Sequence, residues 1–271
     1  GGVIINGKAP LSGPAGVVTQ NTTEMDATVK YGGDNPADNS GVLNYVKIEY
    51  TGARMDSNKE HNGLTLNGVG NGTKLSNLHL RYGADDAIEF FGGTVNATNI
   101  LVENCSDDMF DFTEGYSGTI TNAYGIRMKG YSDATEDPRG IEADGNFDGK
   151  NPTHVNQSNF KVNGMTIVVN AADIKGQDGK VSLVMNKEVF KIRRGAKATI
   201  TNAFVKFGPG TTPYVLIDTD GANPETSISY NFDPANGLDK AKIVNPVKAI
   251  LTKDASKGAD VNAFAWTKFQ F

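Results

Sequence analysis

The chain has 271 residues, a formal net charge of −5, 32 glycines and a single cysteine. The negative balance excludes a nucleic-acid partner, because phosphate binding needs a basic face. No apolar run approaches the length of a membrane span, so no transmembrane segment is expected in this chain.

Length alone allows one or two domains. In chain order, Val3-Ile4-Ile5 reads as an opening strand, and the stretch to residue 40 is an excursion rich in Gly, Asn, Asp and Pro. From about Gly41 to Gly221 two templates then alternate without a linker. The first is an apolar/polar/apolar run ending at glycine: Gly63-Leu64-Thr65-Leu66-Asn67-Gly68, Ala87-Ile88-Glu89-Phe90-Phe91-Gly92 and Met109-Phe110-Asp111-Phe112-Thr113-Glu114-Gly115. Gly140–Gly145, Val189–Gly195 and Leu216–Gly221 fit it too. The second begins at Tyr45, Asn77, Asn99, Asn122 and Asn202, with Asn163 fitting after a shift of frame. The first three repeats recur every 22 to 24 residues or so, and a period of that size marks a solenoid whose coils each supply equivalent strands. An all-β, single-stranded parallel β-helix forming one domain over 1–271 is therefore expected, with core coils over 41–221. Loops inserted around 128–139, 145–159, 171–188 and 222–236 interrupt it. The remaining 222–271 forms a last coil and a cap, for which the aromatic tail Phe264–Phe271 is the candidate, since a terminal coil leaves strand edges and apolar surface open.

Alternation in the first template sends Leu64, Ile88, Phe110, Ile141, Phe190 and Ile217 inward. It leaves two outward columns: Thr65, Glu89, Asp111, Glu142, Lys191, Asp218, and Asn67, Phe91, Thr113, Asp144, Arg193, Asp220. Strands of neighbouring coils lie about 4.8 Å apart. Glu89, Asp111 and Glu142 then form consecutive carboxylates, with Asp85, Asp86, Asp107 and Asp108 just before the same strands and Asp144 beside them. Like charges this close raise one another's pKa, and a hard cation, trapped protons or cationic neighbours relieve them. Asp85, Asp86, Asp107, Asp108 and Asp111 are the candidate metal ligands, with Ca²⁺ the cation suited to an all-oxygen set. Asx-turns are the competing use of the Asp pairs. Lys191 and Arg193 stand between Glu142/Asp144 and Asp218/Asp220, either as a salt-bridge ladder or as catalytic cations. For a ligand such as a glycan, the candidate residues are Glu89, Phe91, Asp111, Glu142 and Asp144. An aromatic ring beside carboxylates suits a sugar, and Tyr50, Tyr82, Tyr116 and Tyr131 lie near strand ends or loops. A covering loop, for instance 128–139, is the alternative for Phe91.

The other signals are structural. The Asn77, Asn99, Asn122 and Asn202 column reads as an asparagine ladder. Gly68–Lys74 lacks the spacing of a phosphate loop and reads as a turn. His61, His79 and His154 are dispersed, and Cys105 reads as a small residue packed at a coil turn.

Asn62–Thr73, Asp85–Asn96 and Asp107–Gly118, with the opening Gly1–Pro10 and the closing Trp266-Thr267, resemble a family of secreted or surface lipoprotein-like β-helix proteins of Gram-negative bacteria. The resemblance covers most of the chain and implies a right-handed β-helix at the cell surface, anchored at the outer membrane if a lipidated segment precedes Gly1; no reaction follows from it. Here Met109 and Thr113 stand where relatives carry further Asp, which weakens a metal site. Three functions compete: a non-catalytic binder of glycan or another surface ligand, a polysaccharide lyase or hydrolase, and a Ca²⁺-stiffened spacer or adhesin. A hydrolase would use Glu89 and Glu142; a lyase would use Lys191 or Arg193 as base. Binding is favoured, because no acid or base is set apart from its neighbours by environment.

Overall fold

A computed structural model of the chain describes residues 1–13, 19–52, 61–128, 131, 138–170, 172–175, 181–184, 187–208, 215–233 and 242–271. Parts of the loops expected at 128–139, 171–188 and 222–236 lie outside the described residues.

The architecture is a parallel β-helix made of two eight-stranded sheets. The short sheet stacks Val3–Asn6, Leu64–Asn67, Ile88–Phe91, Phe110–Thr113, Ile141–Asp144, Glu188–Arg193, Val215–Asp218 and Lys242–Val244. The long sheet stacks Val42–Glu49, Lys74–Arg81, Ala97–Glu103, Thr119–Ile126, Asn159–Val169, Lys197–Phe207, Ser227–Asp233 and Ile250–Lys253. Coils therefore extend beyond 41–221 at both ends. Two antiparallel hairpins lie outside this scheme, Gln20–Thr22 with Lys30–Gly32 and Ala172–Lys175 with Val181–Val184. Helix is confined, among the described residues, to short 3-10 segments at Phe147–Gly149 and Val261–Thr267.

The inward columns form as alternation dictates. Leu64, Ile88, Phe110, Ile141, Phe190 and Ile217 are all fully buried. Beneath the middle coils Phe90, Phe112, Tyr116 and Phe160 stack with centroids of 4.3 Å between Phe112 and Phe160 and 4.4 Å between Phe90 and Tyr116. Tyr116, expected near the surface, is a core residue whose hydroxyl donates to Val95 O at 2.8 Å. Its ring is too large to leave in water when the turn after Thr113 aims it at Phe90, Phe112 and Phe160.

Six of the eight long strands, from Val42–Glu49 to Lys197–Phe207, are bent at one left-handed residue. Asn77, Asn99, Asn122 and Asn202 have φ between 53° and 60°, a region Asn tolerates better than other side chains. Nδ2 of Asn77, Asn99 and Asn122 donates to Oδ1 of Asn44, Asn77 and Asn99 at 2.8, 2.9 and 2.8 Å. The register puts Gly164 (φ 75°), not Asn163, into the column between Asn122 and Asn202. Glycine enters this conformation without penalty, but it cannot continue the ladder.

The tail occupies that gap. Asp260 N donates to Asn122 Oδ1 at 2.7 Å, and Lys257 N to Asn202 Oδ1 at 2.7 Å. Phe264 then packs on Leu101, Tyr124 and Val168, which project from the outer face of the long sheet. The tail is thus a lateral strap rather than a cap over the last coil, where Val247 and Leu251 remain partly buried.

Candidate functional site

The register brings the predicted outward columns together. Thr65 pairs with Glu89, Glu89 with Asp111, Asp111 with Glu142, Glu142 with Lys191 and Lys191 with Asp218. In the second column Asn67, Phe91 and Thr113 follow one another, and Asp144 pairs with Arg193. A third column, two positions before the inward residues Leu64, Ile88, Phe110, Ile141 and Phe190, runs Asn62, Asp86, Asp108, Arg139, Glu188.

Carboxyl oxygens converge accordingly. The sets Asp85/Asp86/Asp107, Asp86/Glu89/Asp111 and Asp108/Asp111/Glu142 each offer ligand atoms within 4.8 Å of one another. Asp86 Oδ1 accepts from Asp108 N at 2.8 Å, and Asp108 Oδ1 from Arg139 N at 2.6 Å. Those bonds cross from coil to coil, so Asp86 and Asp108 are not closing Asx-turns of their own. Glu89 accepts from Asn62 Nδ2 at 2.5 Å. Asp111 is partly exposed as a residue, but its Oδ1 is out of solvent and has no hydrogen-bond partner.

Two halves of this floor differ in charge balance. Toward the C-terminal coils Arg139, buried, pairs with Glu142 and with Glu188 (2.9 Å) and lies 3.9 Å from Asp108. Arg193 pairs with Glu142 and with Asp144 (2.6 Å), Arg194 with Asp144 (2.6 Å), and Lys191 with Asp218 (2.7 Å). Asp144 is consequently buried in ion pairs rather than open to a ligand, and Asp220 is exposed beyond the strand. Desolvation works against the Arg193 charge, but Asp144 and Glu142 hold its pKa above the usual value. Toward the N-terminal coils, Asp86, Glu89 and Asp111 form no ion pair among the described residues. Burial first, then neighbouring carboxylates, pushes all three well above the ordinary carboxylate range, and Asp108 with them.

Phe91 does face outward, but Leu11 and Tyr31 of the N-terminal excursion cover it, leaving it 6% exposed. It offers no face to a sugar. The cover comes from Leu11 and Tyr31, which lie in a stretch with no strand-like alternation to match against Phe91. The same excursion walls the N-terminal end of the floor. Thr23 and Glu24 face His61 and Asn62 across a small cavity above Thr65. Tyr50 is 74% exposed and stacks on Tyr82 at 5.2 Å, away from the carboxylates, with the Tyr82 hydroxyl on Glu103. Tyr131 touches Ser106, and His79 is buried against Glu103 at 3.1 Å. Cys105 is buried, which raises its thiol pKa to about 11.

Asn62, Arg139, Glu188 and Arg194 are site residues that sequence reasoning missed. Part of the signal was available: laying the residue two positions before Leu64, Ile88, Phe110, Ile141 and Phe190 in a column gives Asn, Asp, Asp, Arg, Glu.

Among known families, the one described as a pectate-lyase-like beta helix domain matches residues 1–257. No curated protein and no solved structure gives a significant match.

Proposed function

The chain belongs to the pectate-lyase-like β-helix family, whose domains are commonly extracellular and point to a polysaccharide-related role, and from that premise we propose that its acidic floor binds an extracellular polysaccharide without cleaving it. The observation that carries this is the engagement of the cationic side chains. A lyase base must be deprotonated before it can accept the substrate's proton, whereas Arg193 is held protonated by two carboxylates; the amine of Lys191 is occupied by an ion pair with Asp218.

Asp86, Glu89 and Asp111 fit a hard cation. Their ligand atoms are all oxygen, they come from two adjacent coils, and Asp111 Oδ1 is buried without a partner. Calcium bound there would neutralise the carboxylates and offer open coordination positions to hydroxyl or carboxyl groups of a sugar. The C-terminal half holds its own geometry through ion pairs and presents Glu142 as a fixed anion. Export to the cell surface belongs to the same proposal.

Calorimetric titration of the EDTA-stripped protein with Ca²⁺, followed by polygalacturonate, tests the reading. Calcium should bind, the polymer should bind only to the calcium-loaded protein, and Glu89→Gln/Asp111→Asn should lose both signals. A flat calcium titration removes the metal from the reading, and progressive depolymerisation of the added chain overturns it.

One observation favours a second reading, an inverting hydrolase. Glu89 is desolvated and proton-holding, while Glu142, two coils away, faces two arginines. One desolvated carboxyl group and one ion-paired carboxyl group suit an acid and a base, and two strand spacings of about 4.8 Å come near the separation an inverting pair needs. New reducing ends that appear with wild type and vanish with Glu89→Gln would select it.

A further inference from the structure

We propose that the hairpin of Gln20–Thr22 and Lys30–Gly32 is a pH-dependent lid over the N-terminal end of the acidic floor, latched by the buried carboxyl group of Glu114.

The geometry begins with the turn that ends the strand Phe110–Thr113. Glu114 is left-handed (φ 51°) and Gly115 follows at φ 86°, which turns the Glu114 side chain under the N-terminal excursion. There it is 0% exposed. Oε1 accepts from Asn21 Nδ2 at 2.5 Å, and Oε2 accepts from the Tyr31 hydroxyl at 2.8 Å. Asn21 and Tyr31 are direct cross-strand partners in the hairpin. A single carboxyl group therefore grips both strands at one level.

The base of the excursion is held differently. Ala9 N donates to Gly68 O at 2.7 Å, Gly93 N to Pro10 O at 2.8 Å and Asn151 Nδ2 to Gly13 O at 2.9 Å, none of which titrates. The side chains that wall the cavity above Thr65, Thr23 and Glu24, follow directly on the first hairpin strand. Loosening the latch would move that wall while the base stayed in place.

Among the described residues, no cation pairs with the carboxylate of Glu114. Its bonded partners are neutral, and the charged groups that act on it are Glu24 in the hairpin turn and Asp148 in the Phe147–Gly149 turn, both anionic. Burial raises the carboxyl pKa from 4.5 to about 7, against the opposing pull of Tyr31 and Asn21. A carboxyl group whose pKa is raised on docking favours the docked state when protonated. Docking is thus tightest below about pH 4.5, weakens as pH climbs, and has lost the full contribution above about pH 7. Over that window the docking equilibrium should fall on the order of 100-fold.

Amide hydrogen exchange on the full chain, corrected for intrinsic rate, reads the latch without any ligand. Protection of the segment 19–31, taken relative to the strands Thr119–Ile126 and Asn159–Val169, should fall about 100-fold between pH 5 and pH 8 in wild type. In Glu114→Gln, which keeps an acceptor for Asn21 and cannot ionise, the ratio should stay level. Tyr31→Phe gives a second line: it removes one donor to the carboxylate but leaves the titrating group, so the pH-dependent fall should persist and deepen. A level ratio in wild type, or an equal fall in Glu114→Gln, overturns the latch.

Discussion

The two halves of the acidic floor are built from the same strand template and the same carboxylate chemistry, yet they solve the repulsion problem in opposite ways. In the C-terminal half, Arg139, Arg193, Arg194 and Lys191 neutralise Glu142, Asp144, Glu188 and Asp218. In the N-terminal half, Asp86, Glu89 and Asp111 have no such partners among the described residues and must carry protons or a cation. The difference teaches that a stacked column of acids is not one functional object. An anion paired with buried arginine is part of the scaffold, whereas an uncompensated one carries a standing cost to stability, which in the proposed function a bound cation would relieve.

The sharpest way to break this contrast is to remove the buried arginine. Arg139→Met should destabilise the protein by about 3–5 kcal/mol in urea unfolding, because it strands charges that cannot reach water. Next in size is the response of the uncompensated half to pH and metal. Its folded-state pKa values are raised, so the ionised forms oppose folding, and the EDTA-stripped protein should melt higher at pH 5 than at pH 8. Adding Ca²⁺ at 100 times its Kd should restore about 3 kcal/mol at pH 8. Both effects should shrink in Glu89→Gln/Asp111→Asn, and a wild-type melting temperature that rises with pH would reverse the assignment of the halves. Smallest is Arg194→Ala. Its side chain is 37% exposed and Asp144 keeps Arg193, so urea unfolding should register a loss of no more than about 1 kcal/mol, with calcium binding unchanged.

Much of this was legible in the amino-acid order. Alternation about a period-two strand assigns Glu89, Asp111 and Glu142 to one column and Phe90, Phe112 and Ala143 to the core, because each coil repeats the same local rule. Where the order of residues fell short, the contacts are long-range. Phe91 alternates outward as expected, and only the arrival of Leu11 and Tyr31 from another part of the chain buries it. Tyr116 sits after a glycine turn, where alternation no longer predicts direction. Asp144 and Arg193 share an outward column, so their pairing follows from the alternation, and only the contact with Arg194, which lies outside that column, is not legible there. Asn163 had the right residue type one place too early, and Gly164 took the column because the bend demands a positive φ.

The hook between the tail and the interrupted asparagine ladder has a consequence for how the chain assembles. Each coil can close locally, over a couple of dozen residues where no loop intervenes, and stack on the one before. Asp260 and Asn122, by contrast, are 138 residues apart, and their bond requires the strands around Asn122, Gly164 and Asn202 to be stacked in register already. Docking of the tail is thereby a proofreading event. It inspects three consecutive coils at once and engages only a correctly wound solenoid, and because it forms after the winding it slows the unwinding rather than hastening the fold.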